Sequence, residues 1–194
     1  MWRLKSFNDI KTKDMKTFEV KSGKIVISDP CYTRDTWCQK VLDNVKNGIW
    51  NVETTESYDG RIASIHTRLN HSSIKSYEYV NDLGVDSGQL GIFDDSIYPK
   101  GDKDSGEFEY DDKNCFYGKC CDKTLGDEQF GIVDNLGVVS SSGWGDGSYN
   151  AVLGLDENGQ VVDIFVEFIN DDEDEENPYD NGDMYEDDED EEID

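Results

Sequence analysis

Three short segments each set an aspartate among turn-forming residues beside an apolar run: Ser28-Asp29-Pro30-Cys31-Tyr32, Val85-Asp86-Ser87-Gly88-Gln89, and Ser140-Ser141-Ser142-Gly143-Trp144-Gly145-Asp146-Gly147-Ser148-Tyr149. In a β-rich chain such segments fall at sheet ends, where binding and catalytic groups are commonly carried. If the three converge, Asp29, Asp86 and Asp146 form a carboxylate cluster edged by hydroxyls and by Tyr32, Trp144 and Tyr149. Clustered carboxylates either rise in pKa or gather a hard cation such as Mg²⁺ or Ca²⁺ through oxygen ligands. The competing explanation is structural, because Asp before Pro or Gly caps its own turn. The third segment, with its glycines spaced around Trp144, carries the strongest signal of a ligand-facing loop.

Familiar catalytic templates do not fit. Ser140 to Ser142 lack the glycine pair of a nucleophile elbow, and no phosphate loop, dinucleotide fingerprint, HExxH or EF-hand spacing occurs. Gly143 to Gly147 precede a strand pattern, whereas a phosphate loop opens a helix. Of the two histidines, His71 lies in a turn and His66 on the more polar face of a strand. Cys31 with His66 would make a nucleophile–base pair, against the commoner reading of His66 as a hydrogen-bonded surface group. Five cysteines give an odd count. Cys31, Cys38, Cys115 and Cys120 supply four thiolates, but their spacing matches no standard zinc site, so buried free thiols are the expectation. The sequence calls for no cofactor and leaves metal binding undecided.

The charge is uneven. The 194 residues carry 45 acids and 18 bases, a formal net of -27, and residues 171–194 hold 16 of those acids with no Lys or Arg. Residues 1–170 keep 29 acids and 18 bases, a net of -11. Such a surface repels nucleic acid and anionic membranes, whose binding requires clustered Lys and Arg. No run is long and apolar enough to span a bilayer, and the N-terminal residues turn polar before a signal-peptide core forms, so a cytoplasmic protein is expected. The sequence divides into a β-rich domain, 1–170, and a polyacidic tail, 171–194, that cannot bury enough area to order itself. The tail reads as a solubilising extension, a dock for a basic partner or a regulatory arm.

Elements must then position the three segments. Apolar runs around Ser22-Gly23, Tyr58-Asp59-Gly60 and Asn158-Gly159 predict hairpins joining 18–20 to 25–27, 49–55 to 61–69, and 148–155 to 160–169. Further strands are expected at 85–93, 130–133 and 137–140. Thr36 as N-cap, a stripe of Trp37, Cys38, Val41, Leu42 and Val45, and Gly48 as a stop predict a helix. A second helix is expected within 113–124 and a polar loop over 95–112. Tyr77 and Tyr79 should share a face. The fold class is mainly β (α+β): an antiparallel sandwich or barrel-like body with two short helices and a disordered acidic tail.

Taken in order, Ser22-Gly23, Asp29-Pro30-Cys31-Tyr32, Asp86-Ser87-Gly88-Gln89 and Gly145-Asp146-Gly147-Ser148-Tyr149 resemble an uncharacterised family of small bacterial and phage proteins with an SG…DPCY…DSGQ…GDGSY pattern, across about residues 18–169. The resemblance implies a single cytoplasmic domain with an accessory or defence-related role and assigns no activity. The residues themselves favour a non-enzymatic binding protein that captures a basic protein partner or a small polar ligand through Asp29, Tyr32, Asp86, Gln89, Trp144, Asp146 and Tyr149. The alternative is a divalent-metal-dependent hydrolase using the three aspartates.

Overall fold

Apolar runs bounded by turn residues fold into eleven strands and one helix among the residues described, 16–100 and 114–170 of a computed structural model. In chain order these are β1 (Lys16–Val20), β2 (Ile25–Ser28), β3 (Lys40–Leu42), β4 (Gly48–Glu56), β5 (Ile62–Leu69), β6 (Ser76–Val85), β7 (Gln89–Asp94), α1 (Phe116–Thr124), β8 (Phe130–Val133), β9 (Gly137–Ser141), β10 (Gly147–Leu155) and β11 (Val161–Glu167). The fold is mainly β. Two antiparallel sheets are ordered β1-β4-β5-β11-β10-β6 and β3-β2-β7-β9-β8. No described helix is long and apolar enough to cross a membrane.

The sheets share one apolar core. Phe18, Trp50, Ile65, Leu83, Leu153 and Ile164 of the six-stranded sheet pack with Ile25, Ile27, Leu90, Ile92 and Val138 of the five-stranded sheet. The second sheet is covered on its other face as well, where Val26, Phe93, Val133 and Val139 meet Tyr98, Cys120 and Phe116. Phe93 and Phe116 pack edge to face with ring centroids 5.0 Å apart. Burial on both faces explains why β2 and β7 lack polar alternation. Helix α1 begins where the Cys115 side chain accepts from Gly118 N at 3.2 Å, and it turns Tyr117, Gly118, Cys120 and Thr124 inward.

Hairpins formed where a tight turn separates the runs: β4–β5, β8–β9 and β10–β11 all pair antiparallel. Tyr77 and Tyr79 share the outer face of β6 opposite Gly154 and Val152, both rings exposed. Three expectations fail. Residues 18–20 and 25–27 form no hairpin: β1 pairs with β4, and β2 with β3 and β7. The run 85–93 is two strands broken at Asp86-Ser87-Gly88, where the chain crosses between sheets. The helix expected after Thr36 is instead turns and β3, so one of two expected helices is present among the described residues. Its apolar stripe is served non-locally: Gly84 N donates to Cys38 O, Val45 N to Gly23 O, and residues 40–42 pair with 25–27. Sheet and loop contacts thereby outcompete local helical bonds. The acidic tail and most of the expected 95–112 loop lie outside the described residues.

At the first crossover a buried carboxylate holds the turn. Asp94, at the end of β7, accepts Lys21 N at 2.7 Å and Ser22 N at 2.8 Å through Oδ2, and Ser96 N at 2.9 Å and Ser96 Oγ at 2.5 Å through Oδ1. Burial alone would raise its pKa, but these donors outweigh burial and hold it below the usual carboxylate range. A depressed folded-state pKa contributes stability above the unfolded value of about 3.9 and loses it as pH falls through the folded value. Asp94→Asn is therefore expected to lower the urea midpoint at pH 7. It should also flatten the decline between about pH 5 and pH 2 relative to wild type, measured by parallel denaturation series.

Candidate functional site

Asp29 closes β2 much as Asp94 closes β7. It is fully buried. Its Oδ2 accepts Asp86 N at 2.8 Å and Ser87 N at 2.7 Å, and its Oδ1 accepts Cys31 N at 2.8 Å and Ser87 Oγ at 2.6 Å. Four donors surround one carboxylate, so its lone pairs are committed to the turn where β6 crosses to β7. The Tyr98 hydroxyl sits beneath, 3.1 Å from Asp29 O and 2.8 Å from Tyr32 O. Tyr32 then reaches the neighbouring loop, its hydroxyl donating to Asp86 Oδ2 at 2.5 Å.

The third segment joins the same end of the molecule. Ser142 N donates to Gly88 O at 3.0 Å, and a side chain at Gly88 would point toward the Cα of Gly145, 3.9 Å away. Tyr149 staples this loop from below: its hydroxyl lies 2.9 Å from Ser142 O and 2.8 Å from Gly145 O, and its ring packs against Phe168. Gly143 adopts a left-handed conformation (φ +62°), and Ile62 O and Ile169 leave no room for a Cβ, so glycine is required there on both counts. Gln89 is buried too, accepting from the Thr124 hydroxyl at 2.9 Å and facing Cys121 Sγ at 3.5 Å, which ties β7 to α1.

The expected site residues thus divide. Asp29, Gln89 and Tyr149 are buried and hold the loops, while Asp86, Trp144 and Asp146 are exposed and Tyr32 is half-buried. Trp144 is 52% exposed, with the Arg61 guanidinium 4.3 Å from its ring centroid. Arg61 is in turn anchored by Asp59 Oδ2 at 2.9 Å, and Tyr58 beside it is 89% exposed. Sequence reasoning missed Arg61. Its only signal was the turn Tyr58-Asp59-Gly60, which fixes the hairpin but says nothing of the neighbour it leans on.

Chemically, the end is rich in acceptors and poor in reactive groups. Among the described residues no three His, Cys, Asp or Glu side chains are grouped to hold a metal ion. Burial, and then the Asp29 charge, push the Cys31 thiol well above its ordinary pKa, so it stays protonated. His66 directs Nε2 to Asp163 Oδ2 at 2.9 Å on the outer face of the six-stranded sheet.

Residues 18–166 match the model of a family described as Protein of unknown function (DUF4241), and the chain belongs to that family. Neither the curated proteins nor the solved structures contain a match to it.

Two outcomes follow from this geometry. Asp29→Ala orphans the amides of Cys31, Asp86 and Ser87 in a buried place. It is expected to lower stability by about 3–5 kcal/mol in urea denaturation, and Asp29→Asn by less, because one oxygen remains to accept. Cys31 in the folded protein is expected to react with iodoacetamide at pH 8.5 at least about tenfold more slowly than in urea, read by peptide mass spectrometry.

Proposed function

We propose that this member of the family is a non-enzymatic binding protein whose contact surface is the rim formed by Tyr32, Asp86, Trp144 and Asp146, joined by Arg61. The observation that supports it is the half-exposed Trp144 ring, backed by Arg61 at 4.3 Å and carried on a loop that Tyr149 and Gly88 hold in place. A rigid aromatic with an exposed face, beside carboxylates, is the composition of an interaction hot spot, where large rings bury area at low entropic cost. Asp29, Gln89 and Tyr149 contribute by preorganising that surface.

The partner class is a basic protein. The chain has a net charge of -27, and Asp146 and Asp86 stand exposed at the rim. Complementary charge accelerates encounter and is screened by salt. A metal-dependent hydrolase has less support, because every lone-pair position of Asp29 already faces a protein donor.

The test is affinity capture with the full chain, followed by binding kinetics on the recovered partner. A Trp144→Ala/Asp146→Asn variant is expected to keep the wild-type melting temperature and lose the partner at least about tenfold in affinity. The wild-type on-rate should fall about tenfold or more between roughly 0.05 and 0.5 M salt. Equal capture by wild type and the variant at both salt concentrations would remove this reading.

A further inference from the structure

A second surface lies along the edge of the six-stranded sheet. Strand β6 is the last in its sheet, and a groove of about 670 Å³, open to solvent, is lined by Trp37, Tyr79, Lys40, Asn81, Asp82 and Ser148. That volume falls within the range of small-ligand sites.

The fold explains why both rings face outward. Gly84 N donates to Cys38 O at 3.1 Å, and a Cβ on Gly84 would lie 2.8 Å from the Cβ of Cys38, so only glycine admits this approach. Cys38 is thereby held in the interior at 3% exposure, while its neighbour Trp37 is left 87% exposed. The indole has no ring or hydrogen-bond partner among the described residues. Tyr79, 69% exposed, stands on the outward face of β6. Between them the β6–β10 ladder slips: Tyr149 pairs with Leu83 and Ala151 with Val80, so Asn81 and Asp82 together oppose Asn150. Asp82 takes φ +62° there. Such a bulge re-aims side chains at a sheet edge and is over-represented beside functional sites.

The polar groups of the groove are unspent. Gln39, also at its wall, is committed to Thr33 O and the Tyr98 hydroxyl. The side chains of Lys40, Asn81, Asp82 and Ser148, all exposed residues, make no hydrogen bond or ion pair among the described residues. Together they offer a pure donor, a pure acceptor and two groups that do both. The charges of Lys40 and Asp82 offset each other, so the groove itself selects neither a cation nor an anion. A neutral molecule with many hydroxyls, each able to donate and accept, and with flat C–H faces that lie on aromatic rings satisfies all of these conditions at once.

We propose that the Trp37–Tyr79 groove binds a neutral oligosaccharide, its sugar rings stacked on the two aromatic side chains and its hydroxyls bonded by Lys40, Asn81, Asp82 and Ser148. This site is separate from the rim built around Trp144, and a chain could have either without the other.

The test is an NMR titration of the full chain with defined neutral oligosaccharides (α- and β-glucans, mannans and chitooligosaccharides), with oligogalacturonate and a Lys/Arg-rich peptide as charged controls. The readout is the indole N–H resonance of Trp37, assigned by its loss in Trp37→Phe. At least one neutral class is expected to shift that resonance saturably, with affinity reduced at least about tenfold in Tyr79→Ala; the backbone amide resonances of Lys40, Asn81 and Asp82 should shift with the same saturation and cease to respond in Trp37→Ala. Both variants should melt as wild type does, and Trp144→Ala should bind the sugar unchanged. The proposal is overturned if no neutral sugar moves the resonance, or if a charged control moves it in place of the sugars. It also fails if Trp37→Phe leaves the acrylamide-quenchable part of the full chain's tryptophan fluorescence unchanged, since the groove would then be covered by the protein itself.

Discussion

A carboxylate without water must find its donors in the protein, and this fold uses that requirement to fasten one sheet to the other. Asp29 and Asp94 sit at the ends of β2 and β7, and each presents one oxygen to two successive backbone amides of a crossing strand connection. The other oxygen of each closes a local turn with the amide two residues ahead and a serine hydroxyl. Burying an ion is costly unless every lone pair is occupied, so the two crossovers are geometrically exacting. An alternative path for either connection would strand a charge in the interior.

This arrangement gives physical content to the recurring strings of the sequence. Asp29-Pro30-Cys31-Tyr32 and Asp86-Ser87-Gly88-Gln89, far apart in the chain, are hydrogen-bonded partners. Ser22-Gly23 is the turn that Asp94 holds. Tyr149 is the staple of its own glycine loop. Much of what looks like a constellation of reactive carboxylates is therefore architecture, and the groups left facing outward are those that the architecture displays.

What was legible in the sequence was local. The hairpins β4–β5 and β10–β11 announced themselves because Gly60 and Gly159 supply the positive φ of a tight turn between alternating runs. The convergence of the three aspartate segments was expected on general grounds, and the loops do meet; the turn-capping reading of Asp29 also holds, in the Cys31 amide that it accepts, but its donors from Asp86 and Ser87, 57 and 58 residues away, left no local trace. The stripe from Trp37 to Val45 misled for the same reason. Helical periodicity and a twisted path with alternate burial place Cys38, Leu42 and Val45 inward alike, and only the partners at Gly84, Gly23 and residues 25–27 decide between them. Arg61 under Trp144 is a tertiary contact with no periodic trace.

The last strand among the described residues is not at the margin of its sheet: β11 lies between β5 and β10, bonded on both sides. The N-terminal strands β1, β4 and β5 consequently connect to β10 and β6 only through it. A nascent polypeptide emerging from the ribosome holds two separate sheet fragments until residues 161–167 are free to insert, and pairing across such sequence distances is intrinsically slow. Until that insertion the facing edges of β5 and β10 stay open.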